Sequence, residues 1–237
     1  EGKGYVRTVV LLPGMHGIGT TFADLVAALG PEVESIVVSY PADIPLGYTE
    51  LEAIVRASLP VDRPYILLAE SFSGPIAVTL AAAHPAGMRG LILSSSFVKN
   101  PRPGMRMLRP LIRFADARHL PAGVLSRALL GRFWSVVFHD LLVNTLRMAS
   151  PATFRARIHA IVDADASAHL VKIAMPILYL RASDDRVVPA AASELIARIM
   201  PTAKFIDIEG PHFLLQVVPD AAAGHIKDFM RGLTGDV

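Results

Sequence analysis

This chain predicts an α/β architecture, a mostly parallel central sheet of about six strands with helices on both faces. Three observations carry that expectation. Six short segments, at 6–12, 34–40, 65–68, 90–95, 176–181 and 204–209, are mostly rich in Val, Ile and Leu and bounded by Gly, Pro or Asp. Most of them lack polar alternation, the pattern of strands buried on both faces. Helix-like segments at 21–29, 49–59, 73–83, 190–200 and 219–231 fall between them. A length of 237 residues with 52% hydrophobic content suits one substantial core.

In chain order, the first apolar run stops at Pro13 and opens into the glycine-rich loop "LLPGMHGIG". The third, Tyr65-Ile66-Leu67-Leu68, leads through a two-residue link to Ser71, which opens the helix beginning near Ser73, with Pro75 acceptable in a first helical turn. The fifth leads into "RASDDRVVP" and the sixth into "IEGPHF". One stretch breaks the alternation. Residues 97–172 contain no convincing strand but carry helix-like segments at 105–117, 123–130, 133–148 and 153–161. They read as a helical cap inserted over the carboxyl edge of the sheet, within a core made of residues 1–96 and 173–237. Repeats and low-complexity tracts are absent from the sequence.

Composition removes several classes of function. With no cysteine there is no disulfide, thiolate metal site or cysteine nucleophile, and nothing points to an oxidising compartment. The run 9–12 is too short for a signal peptide. Arg127, Arg132 and His139 interrupt the longest apolar region, so no membrane span is expected. A soluble, cytoplasmic chain is the expectation. Charge is unevenly shared: residues 99–172 hold 12 Lys and Arg against 4 Asp and Glu, and the remainder 11 against 17. Arginines alternating with leucines at helical spacing read first as a solvated face on the lid. The sharper reading is weak contact with anionic lipid or an acidic substrate. Nucleic acid is not an expected partner, since no nucleic-acid motif accompanies the charge.

Ligands of such sheets bind beyond the carboxyl ends of the strands, so the polar residues there are the candidates. In "AESFSG", Ser71 sits between strand and helix with the small residues Ala69 and Ser73 two positions to either side. A strand-turn-helix elbow needs small neighbours at those positions, and the helix start presents free N–H groups beside the serine. A serine hydroxyl needs a base. Of eight histidines, His212 alone lies just beyond the final strand and is the best candidate. His225 falls inside the last helix, His84 ends a helix, and His119, His139, His159 and His169 belong to the cap or its exit, where packing or surface roles are the default. The imidazole needs a carboxylate to hold its tautomer. Asp184 and Asp185 are both available, with Asp185 favoured and the other left to a turn or a cap. Glu70 is a third carboxylate, but adjacency points its side chain away from that of Ser71. For an oxyanion, the backbone N–H of Phe72 is one donor, and that of Met15 is the choice for the second, with His16 as the neighbouring possibility. The loop lacks dinucleotide-binding spacing and a phosphate-loop Lys, so a nucleotide is not expected there.

The order Ser71, Asp185, His212, with a helical insertion before the acid, resembles the α/β-hydrolase superfamily, and in particular its small esterase-like members with a lid. "LLPGMHG", "AESFSG", "SDDRVVP" and "GPHFLLQ" carry the resemblance across essentially the whole chain. Ala69 and Ser73 stand where Gly-x-Ser-x-Gly has glycines, Pro13 where many relatives have histidine, and Glu70 where histidine often precedes the serine. The resemblance implies a serine hydrolase without cofactor or metal, acting on a small-molecule ester through an acyl-enzyme and preferring short to medium acyl chains. Met105, Met107 and Trp134 are candidates for the lining of its pocket. A thioesterase, acyltransferase or carbon–carbon bond hydrolase uses the same residues, and a weakly catalytic ligand-binding receptor is the rival from another class.

Overall fold

A computed structural model of the chain describes residues 6–233. In order, β1 (Thr8–Leu12), α1 (Ala23–Leu29), β2 (Glu34–Val37), α2 (Tyr48–Ala57), β3 (Tyr65–Glu70), α3 (Gly74–Ala82) and β4 (Met88–Ser94) form the first half. The helices α4 (Ala122–Leu130), α5 (Val136–Met148), α6 (Pro151–Asp163) and α7 (Ser167–Leu170) follow. The chain closes with β5 (Ile177–Asp184), α8 (Ala190–Ile199), β6 (Lys204–Pro211), α9 (Leu214–Val217) and α10 (Pro219–Gly232). The six strands make one sheet in the order β2-β1-β3-β4-β5-β6, every pairing parallel. This is the α/β-hydrolase arrangement that the sequence predicts.

The apolar strands owe their lack of alternation to burial on both faces. Val10, Leu12, Leu67, Leu91, Leu93 and Tyr179 pack on one side with α2, α3, α7 and α8. Val9, Leu11, Leu68, Ile92, Leu178 and Leu180 pack on the other with α1, α9 and α10. Between those layers β3 is buried at all six positions. Its helix α3 is apolar around most of its circumference and largely buried, as a helix at the centre of a core must be.

Three expectations change. The two-residue link before Ser71 is absent, because Ala69 and Glu70 continue β3 by pairing with Leu93 and Ser94 of β4. Strand β2 ends at Val37, three residues early, where the chain turns so that the Tyr40 N–H donates to the Gly17 carbonyl. Residues Pro103–Phe114 form 3-10 turns rather than an α-helix. Pro110 inside the segment has no N–H to give, and four-residue bonding cannot run through it.

The two ends of the helical stretch between β4 and β5 meet. Lys99 and Asp165 form an isolated antiparallel bridge, the Asn100 N–H donates to the Ala164 carbonyl, and the Ala166 N–H donates to the Val98 carbonyl. Farther on, the Ser150 N–H donates to the Ala42 carbonyl, tying the start of α6 to the loop after β2. No helix among the described residues is long and apolar enough to cross a membrane.

Candidate active site

Ser71 follows β3 directly and has φ +46, a left-handed conformation that a residue with a side chain seldom adopts. The strained turn swings its hydroxyl out of the strand line while the chain bends into α3. Neighbouring side chains hold the bend: Ser96 Oγ donates to the Ser71 carbonyl, and the Tyr48 hydroxyl donates to the Phe72 carbonyl at 2.9 Å. Gly74 lies against Ser96 and Phe97, where a Cβ would overlap both.

The loops after β5 and β6 bring their polar residues to the same place. Ser71 Oγ lies 2.9 Å from His212 Nε2, and His212 Nδ1 lies 2.8 Å from Asp185 Oδ2. The other Asp185 oxygen accepts the Val187 and Val188 N–H groups at 2.8 and 2.9 Å, which fixes the carboxylate. His212 and Asp185 are both largely buried. With Nδ1 beside a carboxylate, the neutral imidazole carries its proton there and offers Nε2 as an acceptor to the serine.

Of the two aspartates, Asp185 does both tasks that sequence reasoning divided between them, facing the histidine and capping the turn. Asp184 instead accepts from Arg132 Nε at 2.7 Å, and Arg132 Nη2 reaches Glu209 at 2.9 Å, joining the helical stretch to the ends of β5 and β6. Those acidic partners push the Arg132 guanidinium above its usual range.

Met15 and Phe72 both border the cavity beside Ser71. Phe72 is the second residue of a 3-10 turn, so its N–H has no acceptor within that turn. No acceptor among the described residues takes the Met15 N–H. His16 is buried with its ring in the same cavity; its Nδ1 accepts the Ile18 N–H at 3.0 Å, and its Nε2 lies 3.6 Å from Glu70.

The departures in "AESFSG" turn out to have structural work. Glu70, which borders the same cavity as Ser71, accepts the Gly14 N–H at 3.1 Å. Burial pushes the Tyr40 hydroxyl far above its ordinary range, so it stays protonated; it donates to Ser73 Oγ, which donates to the Pro13 carbonyl. Both substitutions therefore grip the loop after β1. Sequence reasoning missed them because the partners are 56 and 60 residues away in the chain.

The cavity above Ser71 has a volume of about 350 Å³. Met105, Leu125, Leu129, Leu142, Leu146 and Phe154 supply much of its apolar wall, with Arg102 and Arg186 the basic residues at its edge. Met105 lies where it was expected, but Met107 is 85% exposed and Trp134 points to Ser126 and His139 outside the cavity. The four histidines of the helical stretch and its exit, His119, His139, His159 and His169, do not border it. Among the described residues no group of three or more His, Asp and Glu is placed to hold a metal ion.

Comparison with known proteins places this chain in a family. The model of a hydrolase family described as serine aminopeptidase, S33, matches residues 49–210. The chain belongs to the S33 hydrolase family. The match spans Ser71 and Asp185 and stops short of His212. This S33 hydrolase is 24% identical to a pimeloyl-[acyl-carrier protein] methyl ester esterase of Neisseria meningitidis serogroup A, over 96% of this chain and 78% of that one. It is 25% identical to a putative carbamate hydrolase of Yersinia enterocolitica, over 97% and 89%. Among solved structures, the enol-lactonase of Burkholderia xenovorans LB400 superposes with a TM-score of 0.82 at 18% identity, covering 98% of this chain and 94% of that one. The fold is that of the α/β-hydrolases, and the protein is an enzyme of the hydrolase class.

Proposed function

We propose that this S33 hydrolase is a carboxylesterase acting on short- to medium-chain acyl esters through Ser71, His212 and Asp185. The unbroken line of contacts from Asp185 through His212 to Ser71 Oγ, at the Ser71 end of which an apolar cavity opens, carries the reading. Ser71 Oγ attacks the ester carbonyl carbon as its proton passes to His212 Nε2. The negative charge that develops on the carbonyl oxygen is taken by the Met15 and Phe72 N–H groups. Collapse of that intermediate breaks the bond to the alkoxy oxygen, and His212 gives its proton to the departing alcohol. Water then attacks the acyl-enzyme by the same route, releasing the acid and restoring the serine. Asp185 stays ionised throughout, keeping the imidazole in its tautomer and stabilising the imidazolium.

Residues 97–172 act as a cap in this reading, and the side chains from 105 to 161 form the roof over the acyl chain. A cavity of about 350 Å³ with few polar groups suits a chain of a few to several carbons rather than a long lipid tail. The methyl ester esterase named among the relatives supports carboxylic ester as the bond cleaved.

The test is hydrolysis of p-nitrophenyl esters from acetyl to palmitoyl by the wild-type protein and by Ser71→Ala. The expected result is a short- to medium-chain optimum and a loss of roughly 10⁴-fold or more in kcat on substitution, with an unchanged circular dichroism spectrum. Equal rates in the two proteins remove Ser71 from the mechanism.

A further inference from the structure

Arg157 of α6 is fully buried, and it is the largest side chain so enclosed among the described residues. Its partners are backbone carbonyls: Nη1 donates to Met15 O at 2.8 Å and His16 O at 2.9 Å, and Nη2 donates to Pro41 O at 2.8 Å. Burial pushes the guanidinium down to about 10, which leaves it charged at neutral pH. A buried charge without a carboxylate is costly to fold, and an apolar residue fills such a space more cheaply. The hydrogen bonds it makes are therefore the place to look for its purpose.

Those bonds complete a set. The peptide plane between Pro13 and Gly14 is held by Ser73 at its carbonyl and by Glu70 at its N–H. The next plane is held by the Gly17 N–H on the Gly14 carbonyl at 2.9 Å. Arg157 holds the following two through the carbonyls of Met15 and His16. Four consecutive rigid planes leave the turn little freedom, and the Met15 N–H is a group in it that has no acceptor among the described residues. Gly17, at φ +75, completes the fit, since a Cβ there would come within 2.8 Å of the guanidinium.

We propose that Arg157 is a positioning residue for the oxyanion: it locks the loop after β1 so that the Met15 N–H faces the carbonyl oxygen under attack. Its charge, behind the same peptides, further favours the anion. The inference rests on the esterase reading above. Because Arg157 is carried by the helical insertion, the roof of the acyl pocket and the oxyanion loop are held as one piece. The effect belongs to the transition state, so it falls on kcat rather than on KM.

The experiment compares wild type, Arg157→Lys, Arg157→Met and Gly17→Ala. The last leaves the arginine in place and presses on its guanidinium, keeping the test open if a substitution at 157 fails to fold. Circular dichroism selects the folded variants, and a fluorophosphonate labels the active serine. Steady-state hydrolysis of p-nitrophenyl butyrate gives kcat and KM, and inhibition by an acyl trifluoromethyl ketone, which binds as an oxyanion adduct, is measured beside it. The proposal expects kcat lower by about 100-fold, KM within about two-fold, and a loss of ketone affinity in parallel with kcat. Folded variants with wild-type kcat, or with kcat lowered while ketone affinity stands, overturn it. Absence of both fluorophosphonate labelling and ester turnover in the wild type overturns the esterase reading itself, a result distinct from turnover indifferent to Arg157.

Discussion

Asp185 gives one carboxylate oxygen to His212 and the other to two backbone N–H groups, so the orientation of the imidazole proposed as the base depends on a single side chain fixed from behind. Asp185→Asn retains an oxygen for the Val187 and Val188 amides and turns an NH₂ group toward His212. The imidazole then accepts at Nδ1 and carries its proton on Nε2, the wrong tautomer for a base. The expected outcome is a fall of about 10⁴-fold in kcat with little change in melting temperature, measured by ester hydrolysis and calorimetry. A variant within ten-fold of wild type would argue against this role for the carboxylate. Ser71, Asp185 and His212 were legible in the sequence because each follows the carboxyl end of a strand and each is marked by local turn residues. Glu70, Ser73 and Arg157 were not, since their partners are distant in the chain. Arg157 falls among the arginines of the insertion that the sequence reads as a solvated face, although it shares a helical face with Phe154 and Ile161, at spacings of three and four. That apolar stripe was the signal available.

Helices α4 and α5 pack on each other and turn Leu125 and Leu129, then Leu142 and Leu146, toward the cavity, each pair one helical turn apart. In the proposed esterase the depth available to an acyl chain is thus set by helix faces rather than by the sheet. Leu146→Trp narrows the cavity without touching Ser71 or His212. It shifts the chain-length optimum toward acetyl, each excluded methylene costing roughly 1–3 kcal/mol of discrimination; kcat/KM across the p-nitrophenyl series measures it. An unchanged optimum would place the acyl chain elsewhere. Existence and type of the sheet elements followed well from periodicity, because strands buried on both faces and helices buried on one leave strong patterns. The segment Pro103–Phe114 did not, since its apolar residues fit helical spacing while Pro110 denies the four-residue bond that spacing assumes.

At the scale of the molecule, the basic insertion and the more acidic sheet domain meet through Arg132, which pairs with Asp184 and Glu209. Both pairs are largely exposed and contribute little to stability individually. Arg157 and the contact of Ser150 with Ala42 seat the insertion instead. The meeting of residues 98–100 with residues 164–166 has a further consequence, one for the history and engineering of such enzymes. Because the chain departs and returns through the same doorway, the material between can change in length and sequence while the strands on either side keep their register. A chimera carrying a relative's segment from 103 to 161, with an arginine at the position of Arg157, is expected to remain labelled by a fluorophosphonate and to take its acyl preference from the donor. Preference that stays with the host sheet would refute this division of labour. Selection can then exchange the roof as a cassette to explore new substrates, provided each new roof brings its own grip on the loop that meets the carbonyl.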